Sequence, residues 1–269
     1  MFPILLEIGP VVIRTLNVLM VIAFVATAFI FWRKTREEHY EEVMVFDGFL
    51  LSILFGLILS RIMFIVMRWQ EFGSQIWHWF DLFGHPGFSL YALAAGATFY
   101  LYRYSVKKKW DAFEILDFWC MALSLGLSII WLGFFFEGTA FGRPTSLPWG
   151  VTFPGVLEKH HPAQLYLAIF YFAMYLYLSW VEYRYRTFNW YRRGKNTAYT
   201  GFLISVFLLF SGLFSLALSW IMLPSMVWFG VNGEMILSLV ATMAGGILLY
   251  SRSQGGSVWP TGGLFSSRA

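Results

Sequence analysis

Seven long apolar runs separated by polar intervals set the pattern of the chain. Their approximate limits are 10 to 32, 46 to 67, 88 to 106, 112 to 136, 163 to 183, 199 to 223 and 231 to 250. Each is near the ~20 residues that a helix needs to cross the hydrocarbon of a bilayer. The pattern predicts an all-α polytopic membrane protein with one seven-helix domain over residues 1–250. No basic leader with a small-residue cleavage site marks the first run, so it is expected to remain as a span. Beyond Tyr250, SRSQGGSVWPTGGLFSSRA concentrates Gly, Ser and Pro, which predicts a mobile tail over 251–269.

Two polar intervals carry patterns of their own. Between the second and third runs, Trp69, Phe72, Ile76, Trp79, Phe80 and Phe83 recur at helical spacing against Gln70, Glu71, Ser74, Gln75, His78 and Asp81. That predicts an amphipathic helix over 68–85 lying in the membrane interface and stopped by Gly84 and Pro86. Such a helix serves as a lid at a lipid entrance or simply as a connector. Between the fourth and fifth runs, residues 137–162 hold Gly138, Gly142, Pro144, Pro148, Gly150, Pro154 and Gly155. Turn residues this frequent exclude continuous helix and predict a folded loop able to hold ligands.

Composition confirms the class and gives it a direction. The chain is 58% hydrophobic and 13% charged, with a mean hydropathy of +0.63, more apolar surface than a soluble core of 269 residues could hide. The intervals 33–45, 103–110 and 184–196 hold 12 of the 19 basic residues, whereas the alternate intervals contain only Arg68, Arg143 and Lys159. Basic residues concentrate on the cytoplasmic side of membrane proteins, so the N-terminus is expected outside and the C-terminus inside, with the Gly/Pro-rich loop and the amphipathic helix on the outer side. The net charge of +4 sits in clusters at run ends, which suits anionic lipid rather than nucleic acid. The single Cys120 excludes an intrachain disulfide. No metal or cofactor is expected, and the scarcity of charge in the third, fifth, sixth and seventh runs speaks against an ion path.

Few residues offer chemistry. Arg61 falls in the outer half of the second run, where its planar fork suits either a phosphodiester or a structural partner. Asp47, Glu114 and Asp117 begin their runs at the cytoplasmic edge, where exposed helix ends explain them. In the loop, Glu137 is either a solvated helix end or a site residue, and Arg143 suits a headgroup phosphate. His160 and His161 are the natural proton acceptors, although a His before Pro162 also serves to fix a turn.

The run Gly138-x-x-x-Gly142-Arg143-Pro144-Thr145-x-Leu147-Pro148-Trp149-Gly150-Val151-x-Phe153-Pro154, followed by His161-Pro162-Ala163-Gln164-Leu165-Tyr166, resembles the bacterial prolipoprotein diacylglyceryl transferases. The similarity extends more weakly to Ile8-Gly9-Pro10, Arg61 and Gly87-Phe88-Ser89. It implies a multi-pass protein of the bacterial inner membrane. The implied activity moves diacylglyceryl from phosphatidylglycerol to the lipobox cysteine of a precursor protein, without a cofactor. It also implies headgroup binding at Arg61 and Arg143, catalytic roles for His161 or Tyr91, and site-shaping roles for Glu137, Gly138, Gly142, Gln164 and Tyr166.

The sequence departs from the family where the family keeps its charges. Tyr91 stands at the position of a His, Trp131 at an Arg and Phe134 at an Asn. Ser211 and Ser215 stand at an Arg and a Glu of the sixth span, Leu16 at a Tyr, and Glu137-Gly138-Thr139 replaces an Asn-Gly-Glu triplet. A thiol nucleophile needs a base and a leaving phosphate needs cations. The resemblance therefore leaves two expectations open: a divergent transferase, or a catalytically degenerate relative that binds lipid or a protein partner without turnover.

Overall fold

The computed structural model describes residues 2–9, 11–82, 84–185, 199–223, 227–228 and 231–253. The chain opens with a hairpin of β1 (Ile4–Ile8) and β2 (Val11–Arg14), in which Glu7 faces Val12 across the ladder. Consecutive β-branched residues at 11–13 favour extended backbone. The first helix, α1 (Thr15–Glu37), accordingly begins five residues later than the apolar run. It is followed by α2 (Glu42–Met67), α3 (Trp69–Phe72), α4 (Ile76–Phe80), α5 (Leu90–Lys107) and α6 (Ala112–Glu137). Two short strands, β3 (Val151–Thr152) and β4 (Lys159–His160), precede α7 (Ala163–Tyr185) and α8 (Phe202–Leu218). The hairpin of β5 (Val227–Trp228) and β6 (Val231–Asn232) leads into α9 (Gly233–Ser253).

Five of these helices, α1, α2, α6, α7 and α9, are long and apolar enough to cross a membrane, and α8 is a shorter apolar helix. The protein is thus mostly helical and polytopic. The centre is α6, which is buried at Ile115, Phe118, Trp119 and Met121 and packs against α1, α5, α7 and α8, while α2 lies on α5 and α9 on α8. Trp119 meets Phe31 and Phe49 edge to face at about 6 Å between centroids, the preferred arrangement of aromatic quadrupoles.

The chain reversals sort to two ends. One holds the β1–β2 hairpin, residues 68–89, the interval 138–162 and the approach to α9; the other holds the turns between α1 and α2 and between α5 and α6. At the second end the expectation of exposed acids holds for Asp47 and fails for Asp117, with Glu114 half-buried. Asp117 is fully buried, and its carboxylate accepts hydrogen bonds from the N–H groups of Gly201 at 2.7 Å and Ile204 at 2.8 Å. It serves the donors at the start of α8, which lack intrahelical acceptors. Glu114 takes the Tyr40 hydroxyl, and Lys34 joins α1 to α7 through Glu182 at 2.8 Å.

The amphipathic helix expected over 68–85 is also different. The segment is two short helices broken at Gly73, whose φ is +52°, and Phe83 lies outside the described residues. Its aromatic character survives: Trp69, Ile76, Trp77 and Phe80 are exposed while Phe72 is buried. Residues 251–253 continue α9, and the remainder of the expected tail, like the basic residues Arg186, Arg192, Arg193, Lys195 and Arg268, lies outside the described residues.

Candidate functional site

The interval after α6 begins with Gly138, which caps the helix in the left-handed region at φ +77° and donates its N–H to the carbonyl of Phe134 at 3.0 Å, a common helix stop. From there the loop is closed by backbone pairing. Gly142 N–H donates to His161 O at 2.9 Å, His161 N–H to Arg143 O at 3.1 Å, and Thr145 N–H to Lys159 O at 2.8 Å. Arg143 N–H reaches Ile221 O at 2.7 Å, beyond the end of α8, so the loop is sewn to α8 as well as to itself. Gly142 sits at the crossing. A Cβ there would meet the Cβ of His161 at 2.9 Å and the carbonyl oxygen of Ile221 at 3.0 Å.

This pairing sets adjacent histidines to different tasks. His160 is buried, with Nδ1 2.8 Å from Gly142 O and its ring edge-on to Phe141 at 4.8 Å; it is part of the loop's frame. His161 is half-buried and faces outward, with Nδ1 3.4 Å from the Tyr166 hydroxyl, which in turn accepts the Trp149 indole N–H at 2.9 Å. His161, Trp149 and Tyr166 border a cavity of about 680 Å³ that runs between α7 and α8 along Ile169, Phe170 and Phe214. Its walls are mostly apolar, and among the described residues that line it His161 and Tyr166 are the ionisable ones. Arg143, one strand across from His161, is exposed and makes no side-chain hydrogen bond or ion pair among the described residues.

The helix ends that flank the loop hold the frame. Gln164 is fully buried and donates from Nε2 to Thr139 O at 2.6 Å, while its Oε1 has no partner among the described residues. Glu137 is no solvated helix end. One carboxylate oxygen accepts from Arg14 at 2.7 Å, tying α6 to β2, and the other is buried without a hydrogen bond among the described residues.

Arg61 does not join this group. It is 9% exposed, and all of its N–H directions point into the 78–87 segment. Nε donates to Trp79 O at 3.0 Å, Nη1 to His85 O at 2.8 Å and Gly87 O at 3.0 Å, and Nη2 to Asp81 O at 3.2 Å and His78 O at 3.4 Å. A guanidinium has five N–H donors, so none remains for a headgroup. Phe64, Phe72 and Phe88 surround it at 5.3 to 5.9 Å, a cation–π cage that further offsets its burial. The backbone of 78–87 wraps this cation, which is why no helix continues through it.

Tyr91 is also apart from His161. With Ser215, Ser219, Ser238 and Glu234 it lines a small crevice on the other side of Leu218, a residue that the large cavity shares. Trp131 is packed in the core against Phe134 at 5.4 Å, and Leu16 lies against Gly133. Phe134 also borders an apolar cavity of about 370 Å³ among α1, α2, α5 and α6. The buried Glu234 is the residue that sequence reasoning overlooked. An acid in the first turn of the seventh apolar run was the available signal, since ionisable groups at membrane depth default to a partner or a wet cavity.

The profile of the prolipoprotein diacylglyceryl transferases matches residues 3–251. The chain belongs to this family. A phosphatidylglycerol–prolipoprotein diacylglyceryl transferase of Clostridium tetani is 26% identical over 186 residues, which cover 67% of this chain and 74% of that protein. One of Finegoldia magna is 27% identical over 57% of this chain and 61% of its own length. One of Parasynechococcus marenigrum is 23% identical over 92% of both.

Proposed function

We propose that this protein transfers diacylglyceryl from phosphatidylglycerol to the lipobox cysteine of precursor proteins at the outer face of a bacterial plasma membrane. In this reading residues 1–250 form one seven-span domain with the N-terminus outside. The observation that carries it is the seat of His161: a proton acceptor bordering an apolar cavity, hydrogen-bonded through its backbone to Arg143, whose guanidinium is unpaired among the described residues. An acyl chain lies in the cavity between α7 and α8, and Arg143 holds the phosphate. His161 takes the thiol proton, the sulfur attacks the glycerol carbon, and the carbon–oxygen bond breaks to release glycerol phosphate, whose charge Arg143 offsets. Tyr91 faces the crevice beyond Leu218 and would serve only a substrate that reached there. Arg61 shapes the entrance through the aromatic 69–82 segment rather than binding the headgroup.

Complementation in cells depleted of their own transferase tests the reading, together with glycerol phosphate release by purified protein given phosphatidylglycerol and a lipobox peptide. Turnover is expected, and His161→Gln should reduce it about 10²- to 10⁴-fold, the range of general base catalysis, with thermal stability retained. Absence of lipidation by protein that is folded in the membrane overturns the transferase reading.

A second reading has its own support. Arg61 is committed to carbonyls, Trp131 is a core residue with the half-buried Phe134 packed against it, and Tyr91 is separate from His161. Together these fit a relative that binds lipid without turnover. Phosphatidylglycerol retained through purification, with no glycerol phosphate released, would favour it.

A further inference from the structure

The end of the molecule opposite the loop carries a second cleft, between α2 and α5, with a volume of about 680 Å³. We propose that this cleft binds the headgroup of an anionic glycerophospholipid, separately from the Arg143 and His161 site. On α1 the cations at this end are matched by carboxylates: Arg33 with Glu37, Lys34 with Glu37 and Glu182, and Arg36 with Glu42. On α5, Arg103 and Lys107 line the cleft and neither has an ion pair or a hydrogen-bonded side chain among the described residues. They are four residues apart on one helix face, where like charges repel unless an anion lies between them. Lys108 adds a third cation, 5.6 Å above the ring of Tyr104.

The floor beneath these charges is built rather than incidental. Tyr104 donates its hydroxyl to Met44 O at 3.1 Å and lies over Gly48, where a Cβ would come within 2.9 Å of the ring. Tyr100 stacks beside it at 6.5 Å. Leu51 and Val106 border the cleft and are exposed, which places apolar surface next to the cations as a lipid's glycerol and acyl chains require. Asp47 is the one carboxylate among the described residues that line the cleft. It offsets part of the positive charge and can accept from a headgroup hydroxyl, but three cations against one acid leave an excess that favours a net anionic headgroup over a zwitterionic one. The cations would hold the phosphodiester.

Native mass spectrometry of the full-length protein in detergent, titrated with phosphatidylglycerol or phosphatidylcholine, tests this. Two phosphatidylglycerol adducts are expected, one lost in Arg143→Ala and the other in the Arg103→Gln, Lys107→Gln double variant. In the double variant the affinity of the second adduct should fall roughly thirtyfold, the scale of two surface cations near a lipid headgroup. Asp47→Asn should tighten it, an opposite sign that misfolding would not produce. Inorganic phosphate alone should neither bind with comparable affinity nor displace the lipid. The proposal is overturned if the double variant keeps both adducts, if phosphatidylcholine is retained and lost in parallel, or if phosphate competes as well as lipid does. Because the Arg143 adduct is scored separately, loss of that adduct speaks only to the outer site.

Discussion

Two irregular segments at the same end of the molecule are each organised around an arginine, and they use it in opposite ways. In 78–87 the backbone has folded around Arg61, which gives every N–H to a carbonyl. In 138–162 the loop closes on its own backbone pairs and on Ile221, and Arg143 is left exposed and unpaired among the described residues. A segment whose carbonyls need a cation uses up its arginine, whereas a segment that satisfies its own backbone leaves the arginine free for a ligand. The contacts make Arg61 structural, and the proposed phosphate-binding role falls to Arg143 alone, although sequence alone made the two look equivalent.

The largest effect expected from this difference is at Arg61. Arg61→Ala removes a buried cation and orphans five carbonyls, so it should destabilise the protein by about 3–5 kcal/mol, the cost of breaking a buried charged network. Thermal unfolding in detergent reads this. Arg61→Lys should recover only part, because an ammonium supplies three donors where five are needed. A stable Arg61→Ala variant that loses phosphatidylglycerol selectively would reverse the assignment.

Arg143→Ala should leave stability nearly unchanged and weaken phosphatidylglycerol retention by about 1.5–3 kcal/mol, the scale of charge-assisted hydrogen bonds. Arg143→Lys should restore part of it, since a point charge lacks the bidentate fork. Equal loss of neutral and anionic lipid would make Arg143 a second staple and erase the contrast. The frame that frees Arg143 can be broken at Gly142. Gly142→Ala forces a Cβ against the Ile221 carbonyl and His161 and should cost about 1–3 kcal/mol by overpacking, seen as earlier unfolding and faster proteolysis of the loop.

How much of this was legible in the sequence depends on the range of the forces involved. Helices showed clearly, because apolar runs of span length state their own fold, and the turn residues of 137–162 marked a loop. Periodicity failed where a long-range partner overrode it. The aromatic spacing of 69–80 is helical, yet Gly73 and the pull of Arg61 on five carbonyls divide it. Asp117 read as an exposed helix start because its partners, the Gly201 and Ile204 N–H groups, are more than eighty residues away. The motif residues placed Arg143 and His161 in the loop and Gln164 and Tyr166 at the start of the next span, but only the family resemblance, and no local periodicity, separated the framing His160 from the outward His161. That distinction arises because His160 ends a two-residue strand paired to Val151 while His161 lies just beyond it, a ladder too short to announce itself.

The smallest expected effect tests whether the free side of the loop is itself prearranged. Trp149 donates to the Tyr166 hydroxyl at 2.9 Å, and that hydroxyl lies 3.4 Å from His161 Nδ1, so an exposed indole helps to fix the imidazole at one remove. Trp149→Phe keeps an aromatic wall on the cavity but deletes the N–H. It should cost about 0.5–1.5 kcal/mol, one neutral hydrogen bond, with no selective loss of anionic lipid, because Arg143 is untouched. If His161 relies on this chain for its orientation, turnover should fall by more than stability does, and Tyr166→Phe should give the same shortfall without adding to it in the double variant. Additive losses would mean that Trp149 and Tyr166 act independently as cavity walls and that His161 is held by its backbone alone.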